Sequence, residues 1–160
     1  MFYNRMNVSV CPAEVDTVIH FPLEAAPPKE REAMTIREIA DILQARWVCC
    51  EEAADTPVRY AFASDMMSDV LAHVGEDTML LTGLINSQSV RTAEMLDVPC
   101  LIFVRGKKPH KDAVQRAEMI GLPTLLTQYS MFEACGRLFA AGMEPSPLTT
   151  DGGEDDDDDD

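Results

Sequence analysis

The sequence predicts an α/β domain: a small, mostly parallel sheet of repeated βα units flanked by helices. Two observations carry this. Unbroken apolar runs at Thr78–Leu81, Cys100–Val104 and Pro123–Leu126 alternate with segments whose apolar residues recur at helical spacing. Continuous apolar strands belong to sheets covered on both faces, and strand–helix alternation belongs to parallel ones. The strand ends at Thr82, Arg105 and Thr127 lie 23 and then 22 residues apart, a spacing that short βα units give in any case. Crossovers should be right-handed.

Taken in order, residues 1–33 hold Pro12, Pro22, Pro27 and Pro28 and no helical period. Val15–Phe21 suits one strand and Glu24–Ala33 reads as a polar linker. This extension is a mobile arm, a strand added to a partner, or sequence ahead of a start at Met34. The domain is expected over 34–143. Thr35-Ile-Arg-Glu38 has capping-box spacing, followed by Ile36, Ile39, Ile42 and Leu43 on one helical face. Trp47–Cys50 is a short strand, 51–57 a loop and Val58–Ala63 a strand. Ser64-Asp65 is placed to cap a helix burying Met66, Met67, Val70, Leu71 and Val74, stopped by Gly75.

Asn86 or Ser87 opens the next helix, with Val90, Ala93 and Leu96 inward. Pro109 and Asp112 suit a helix start, Ala113, Val114, Ala117 and Ile120 give its buried face, and Gly121 closes it. Ser130-Met-Phe-Glu133 has the spacing of a second capping box, with Met131, Phe132, Cys135, Leu138 and Phe139 as the buried stripe. Residues 144–160 are Pro-rich and then acidic. The seven adjacent acids 154–160 repel one another, so this tail is expected to be disordered.

The 160 residues carry 13 bases and 28 acids, a net charge of −15. Eight of those acids fall in the last ten residues, leaving 13 bases against 20 acids, or −7, on the remainder. Such a balance disfavours duplex nucleic acid as a partner. No run of 18 apolar residues and no charged-then-apolar leader occurs, so a cytoplasmic protein without a membrane span is expected. Five cysteines, an odd count with no Cys-x-x-Cys spacing, read as reduced thiols. The vicinal Cys49-Cys50 pair has a redox or metal role as its functional reading and ordinary packing as its simpler one.

In parallel sheets ligands bind in the loops after the strands. The loop Arg105-Gly106-Lys107-Lys108-Pro109-His110-Lys111 is the basic spot of an acidic chain and precedes a helix N-terminus. Its functional reading is a site for a small anionic metabolite or nucleotide. Its simpler readings are a solvated loop or a resting place for the acidic tail. Arg105, Lys107 and Lys108 would contact the anion, with Gly83, Gly106 and Thr127 allowing backbone approach. Thr82, Asn86, Gln88 and Ser130 complete the candidate ligand-binding set. Ser64, Asp65, Ser68 and Asp69 are secondary candidates. No metal or cofactor is expected, since no paired Cys/His spacing occurs. Gly-x-x-x-x-Gly-Lys-Ser/Thr is absent, as is any nucleophile–base pair, so no catalytic residue is assigned.

Several stretches together carry a family likeness. They are Ala63-Ser-Asp-Met-Met-Ser-Asp-Val70, Leu81-Thr-Gly-Leu84 with Gln88, Ile102-Phe-Val-Arg-Gly-Lys107 with Pro109, and Ser130-Met-Phe-Glu133 with Gly136-Arg-Leu-Phe139 and Gly142. On these, residues 34–143 resemble a stand-alone DRTGG-type domain, similar to the N-terminal regulatory domain of bacterial HPr kinase/phosphorylase. Related domains sit in some phosphotransacetylases and in CBS-containing family II pyrophosphatases. The namesake Asp-Arg-Thr-Gly-Gly is replaced by Thr82-Gly83-Leu84-Ile85-Asn86. The resemblance implies a non-catalytic regulatory or ligand-sensing domain. The other reading of the sequence is a homodimeric scaffold or interaction protein without a small ligand. A homo-oligomer is expected, and the identity of any protein partner stays open.

Overall fold

The computed structural model describes residues 32–147. The expected strand Val15–Phe21, most of the polar linker and the acidic run lie outside the described residues. A six-stranded sheet in the order β2-β7-β6-β5-β4-β8 forms the middle layer. Its strands are β2 (Arg46–Cys49), β4 (Tyr60–Ala63), β5 (Thr78–Thr82), β6 (Leu101–Phe103), β7 (Thr124–Leu126) and β8 (Glu144–Pro145). All neighbouring pairs are parallel except β2 with β7. A separate two-stranded ribbon pairs β1 (Met34–Thr35) with β3 (Pro57–Val58).

Five helices cover the sheet: α1 (Ile36–Ile42), α2 (Met67–His73), α3 (Ser87–Met95), α4 (Lys111–Ile120) and α5 (Met131–Ala140). The alternation of side chains along each strand assigns them to faces. Met79 and Leu81 of β5, Ile102 of β6 and Leu125 of β7 pack with Ile36 and Ile39 of α1 and Leu138 of α5. Leu80, Leu101, Phe103 and Leu126 pack with Val70 of α2, Val90 of α3 and Ala113 and Ala117 of α4. The result is a three-layer α/β/α sandwich with two helices on one face and three on the other.

Helix ends follow local chemistry. Thr35 caps α1 in a complete box: Glu38 N–H donates to its hydroxyl at 3.3 Å, and its own N–H donates to the Glu38 carboxylate at 2.8 Å. That second bond holds the Glu38 carboxyl below its ordinary value. Gly121 ends α4 at φ 69°, a left-handed position that glycine adopts without cost.

Several expectations need correction. Val58–Ala63 is two strands in two sheets. Arg59 and Tyr60 both donate N–H to the Asp77 carbonyl, which interrupts the ladder between them. Helix α2 starts one or two residues later than expected, at Met67, with Met66 and not Asp65 at the cap position. Met66 and Leu71 are exposed, because the buried side chains of α2 are Met67 and Val70. Ile120 is likewise exposed, at the last turn of α4 where the helix leaves the sheet. The second capping box is half-made: Ser130 accepts from Glu133 N–H at 3.2 Å, while the Glu133 carboxylate turns to Arg137 at 3.0 Å. Phe132 and Phe139, expected in the core, are 90% and 70% exposed; Ala134 and Leu138 form the inward face of α5. Glu144–Pro145, read as part of the tail, pairs with β4.

The thiols follow their burial. Cys100 is fully buried and Cys50 partly so, and this desolvation raises both, Cys50 to about 12 with the adjacent Cys49 adding to it. The thiolate is the reactive form. Alkylation by iodoacetamide at pH 7.5, followed by mass spectrometry, should therefore leave Cys50 and Cys100 unlabelled until denaturant is added.

Candidate functional site

Strands β4 to β7 advance one way across the sheet, with α2, α3 and α4 on one face. After β7 the chain turns onto the other face, and α5 carries it back to β8 at the far edge. The loops leaving β6 and β7 therefore diverge to opposite faces. The carboxyl ends of strands at such a reversal are the usual ligand position in open α/β sheets. Here they carry Arg105-Gly106 and Thr127-Gln128-Tyr129.

Strand register sets the rest of this crest. Ala63 pairs with Leu81, so Asp65, two residues on, comes level with Gly83. Thr82 pairs with Phe103 and Phe103 with Leu126, which brings Arg105 and Thr127 to the same rim. Asp65 gathers the donors there. Its carboxylate accepts from Gly83 N–H at 2.6 Å, from the Thr82 hydroxyl at 3.2 Å and from the Arg105 guanidinium at 3.0 Å. The Arg105 side chain lies over Gly83 so closely that a Cβ there would fall 1.6 Å from a guanidinium nitrogen. Gly83 therefore provides the close approach expected of it, and the group approaching is Arg105.

The two loops are joined through their backbones. Arg105 N–H donates to the Tyr129 carbonyl at 2.7 Å, and Gly106 N–H donates to that of Thr127 at 2.9 Å. Arg105 and Gly106 have φ of 67° and 63°. A left-handed non-glycine residue costs roughly 1–2 kcal/mol, and such strain concentrates at functional loops. The Gln128 side chain covers Gly106, where a Cβ would fall 2.2 Å from its Oε1. Arg137 stacks on the Tyr129 ring at 4.0 Å.

The other candidates divide. Lys107 and Lys108 are exposed beside these loops, and neither holds an ion pair among the described residues. Helix α4 behind them starts at His110 with no side-chain cap, so its first N–H groups have no hydroxyl or carboxylate from the cap residue. Asp112 in that first turn is held below its ordinary value chiefly by the Ser87 side chain. Asn86 and Ser130 are spent as caps, accepting from Gln88 N–H at 3.1 Å and Glu133 N–H at 3.2 Å. The Gln88 side chain is exposed at the start of α3. Ser64 turns its own loop by accepting from Met66 N–H at 3.0 Å, and Ser68 and Asp69 face outward on α2. Among the described residues no group of three or more His, Cys, Asp or Glu is placed to hold a metal ion.

The Thr127 hydroxyl serves the frame. Thr127 is fully buried; its hydroxyl donates to the Leu43 carbonyl at 2.8 Å and accepts from Tyr129 N–H at 3.2 Å, tying the end of α1 to the loop after β7. Thr127→Val removes both bonds at constant shape and leaves two backbone groups unpaired. It should cost about 1–3 kcal/mol in urea unfolding.

The sequence leaves Gln128 and Tyr129 out of the candidate set, and it places Asp65 as a helix cap, which Asp65 is not. A signal was present: an acid two residues past one parallel strand, level with a glycine past the next.

No family model matches this chain, and no curated protein matches it. A solved structure does: the CBS and DRTGG domains of the regulatory region of Clostridium perfringens pyrophosphatase, complexed with its activator diadenosine tetraphosphate. The superposition has a TM-score of 0.56 at 17% identity, covering 72% of this chain and 51% of that one. The chain thus spans about half the length of the chain it matches. The likeness shows the fold: a mixed α/β architecture with a mostly parallel sheet, of the kind found in that regulatory region. No helix among the described residues is long and apolar enough to cross a membrane.

Proposed function

We propose that this chain is a non-catalytic regulatory domain that senses a small anionic metabolite or nucleotide at the crest of the sheet. The observation that carries this is the ring of donors around Asp65. A backbone N–H, a hydroxyl and a guanidinium converge on one carboxylate oxygen pair. That is the donor set a phosphate uses, and charge-assisted bonds of this kind are the strong ones. Asp65 is in this reading an internal stand-in for the ligand. An incoming phosphate displaces it, takes Arg105 and Gly83 N–H, and gains Lys107 and Lys108. The displaced carboxylate then moves α2 relative to α3, which is the signal. Three facts support the reading: the chain reversal at β6/β7, the strained left-handed Arg105 in the loop, and a fold neighbour whose regulatory region is complexed with a nucleotide activator.

Calorimetric titration with pyrophosphate and with ADP at fixed ionic strength tests it. Saturable binding is expected, and Arg105→Ala should weaken it about 30-fold or more. Lys107→Ala combined with Lys108→Ala should weaken it less, since exposed charges act through screened attraction. Binding by neither probe, or binding indifferent to Arg105→Ala, would contradict the reading.

A further inference from the structure

The two faces of the sheet are unequally covered. A helix is about 10 Å across and strands lie about 4.8 Å apart, so one helix covers roughly two strands and six strands take three. The α2/α3/α4 face has its three helices. Among the described residues the other face has only α1 and α5, which leave the β4–β8 side open. There a groove of about 370 Å³ runs beside α5, its walls made by Ala61, Ala63, Leu81, Pro145, Phe132 and Phe139. Among the described residues Glu144 is its one charged wall residue.

Helix α5 presents an uncharged stripe next to this groove. Phe132 and Phe139 are two turns apart on one side of the helix, with Cys135 and Gly136 between them. A Cβ at Gly136 would meet nothing within 4 Å. The helix therefore has two aromatic knobs separated by a hollow, and the groove lies alongside. Glu133 and Arg137 pair with each other on the flank, away from the stripe.

We infer that the occupant of this groove is a second copy of the chain, packed two-fold so that its α5 supplies the missing third helix. A two-fold interface requires one patch to carry both knob and socket, and this patch does. A rotation axis near Gly136 brings the phenylalanines of each copy onto the groove of the other in one operation. Two phenylalanines at 90% and 70% exposure leave roughly 300 Å² of apolar ring surface on each copy, at about 150–250 Å² per ring, which forms the apolar centre of such a contact. Charge argues the same way. A chain of net charge −15 would recruit a foreign partner most readily through basic surface on that partner, yet this patch offers almost no charge to meet it. Uncharged surface is what two equally acidic copies need at their contact.

The test is multi-angle light scattering of the full chain over a dilution series. The wild type should run at twice the chain mass, and Phe132→Glu with Phe139→Glu should run as a monomer, its dissociation constant raised at least 100-fold. Both side chains are exposed, so circular dichroism and thermal unfolding should show the fold intact. Met119→Glu, at a residue 85% exposed on α4, should leave the dimer unchanged. A monomeric wild type, a dimer that survives the double substitution, or one broken by Met119→Glu would each overturn the inference.

Discussion

Phe103→Ala should destabilise the domain by about 3–5 kcal/mol, the range for removing a fully buried aromatic side chain. Phe103 is 1% exposed and sits on β6, with β5 and β7 on either side and α3 and α4 above. Neighbours anchored to a parallel sheet cannot collapse into the space it vacates, so the upper half of that range is expected. Total stabilities are about 5–15 kcal/mol, so the loss is a large share. The midpoint of thermal unfolding should fall by roughly 10–20 °C. A fall under about 3 °C would mean that α3 and α4 do not clamp β6 as described. Leu71→Ala is the control. That side chain is 46% exposed on α2 and its removal should cost little.

Asp65→Asn should act in the opposite direction to Arg105→Ala on anion binding. Asparagine keeps the shape and still accepts from Gly83 N–H, so the loop holds its course. What it removes is the negative charge that occupies Arg105. Exposed ion pairs are worth about 0–1 kcal/mol, and the charge-assisted bond to a backbone N–H adds to that. The combined gain for an entering anion is about 1.4 kcal/mol, or tenfold in affinity. The effect should shrink at high salt, because both members of the pair are about half exposed. Gly83→Ala should mimic it in part. Its methyl group pushes the Arg105 guanidinium off its seat, and a flexible side chain can move where backbone could not.

Local signals read correctly from the sequence. The Thr35/Glu38 capping box and the Gly121 stop are set by residues within four positions of each other, and β5, β6 and β7 announce themselves as unbroken apolar runs. Failures came where distant parts of the chain decided the outcome. Asp65 satisfies the local rule for a helix cap, but a stronger set of donors waits on β5 and after β6, strands that come later in the chain. Phe132 and Phe139 satisfy the local rule for a core stripe. The apolar arc of α5 spans about half of the helix, and which part of it faces the sheet is settled by Ala134 and Leu138 fitting against α1 and β5. The basic loop was legible as a charge cluster, but that Arg105 is already held by an acid 40 residues away was not.

The central claim is that Asp65 and an external anion compete for one set of donors. The Gly83 amide reports on it most directly, since its N–H points at the Asp65 carboxylate at 2.6 Å. A ¹⁵N–¹H titration with ADP should move the Gly83 and Arg105 amides most and saturate, with Asp65→Asn reaching half-saturation at about one tenth of the wild-type concentration. If ADP moves only the Lys107 and Lys108 amides and leaves Gly83 in place, the anion rests on the surface of the basic loop and Asp65 is no stand-in for it.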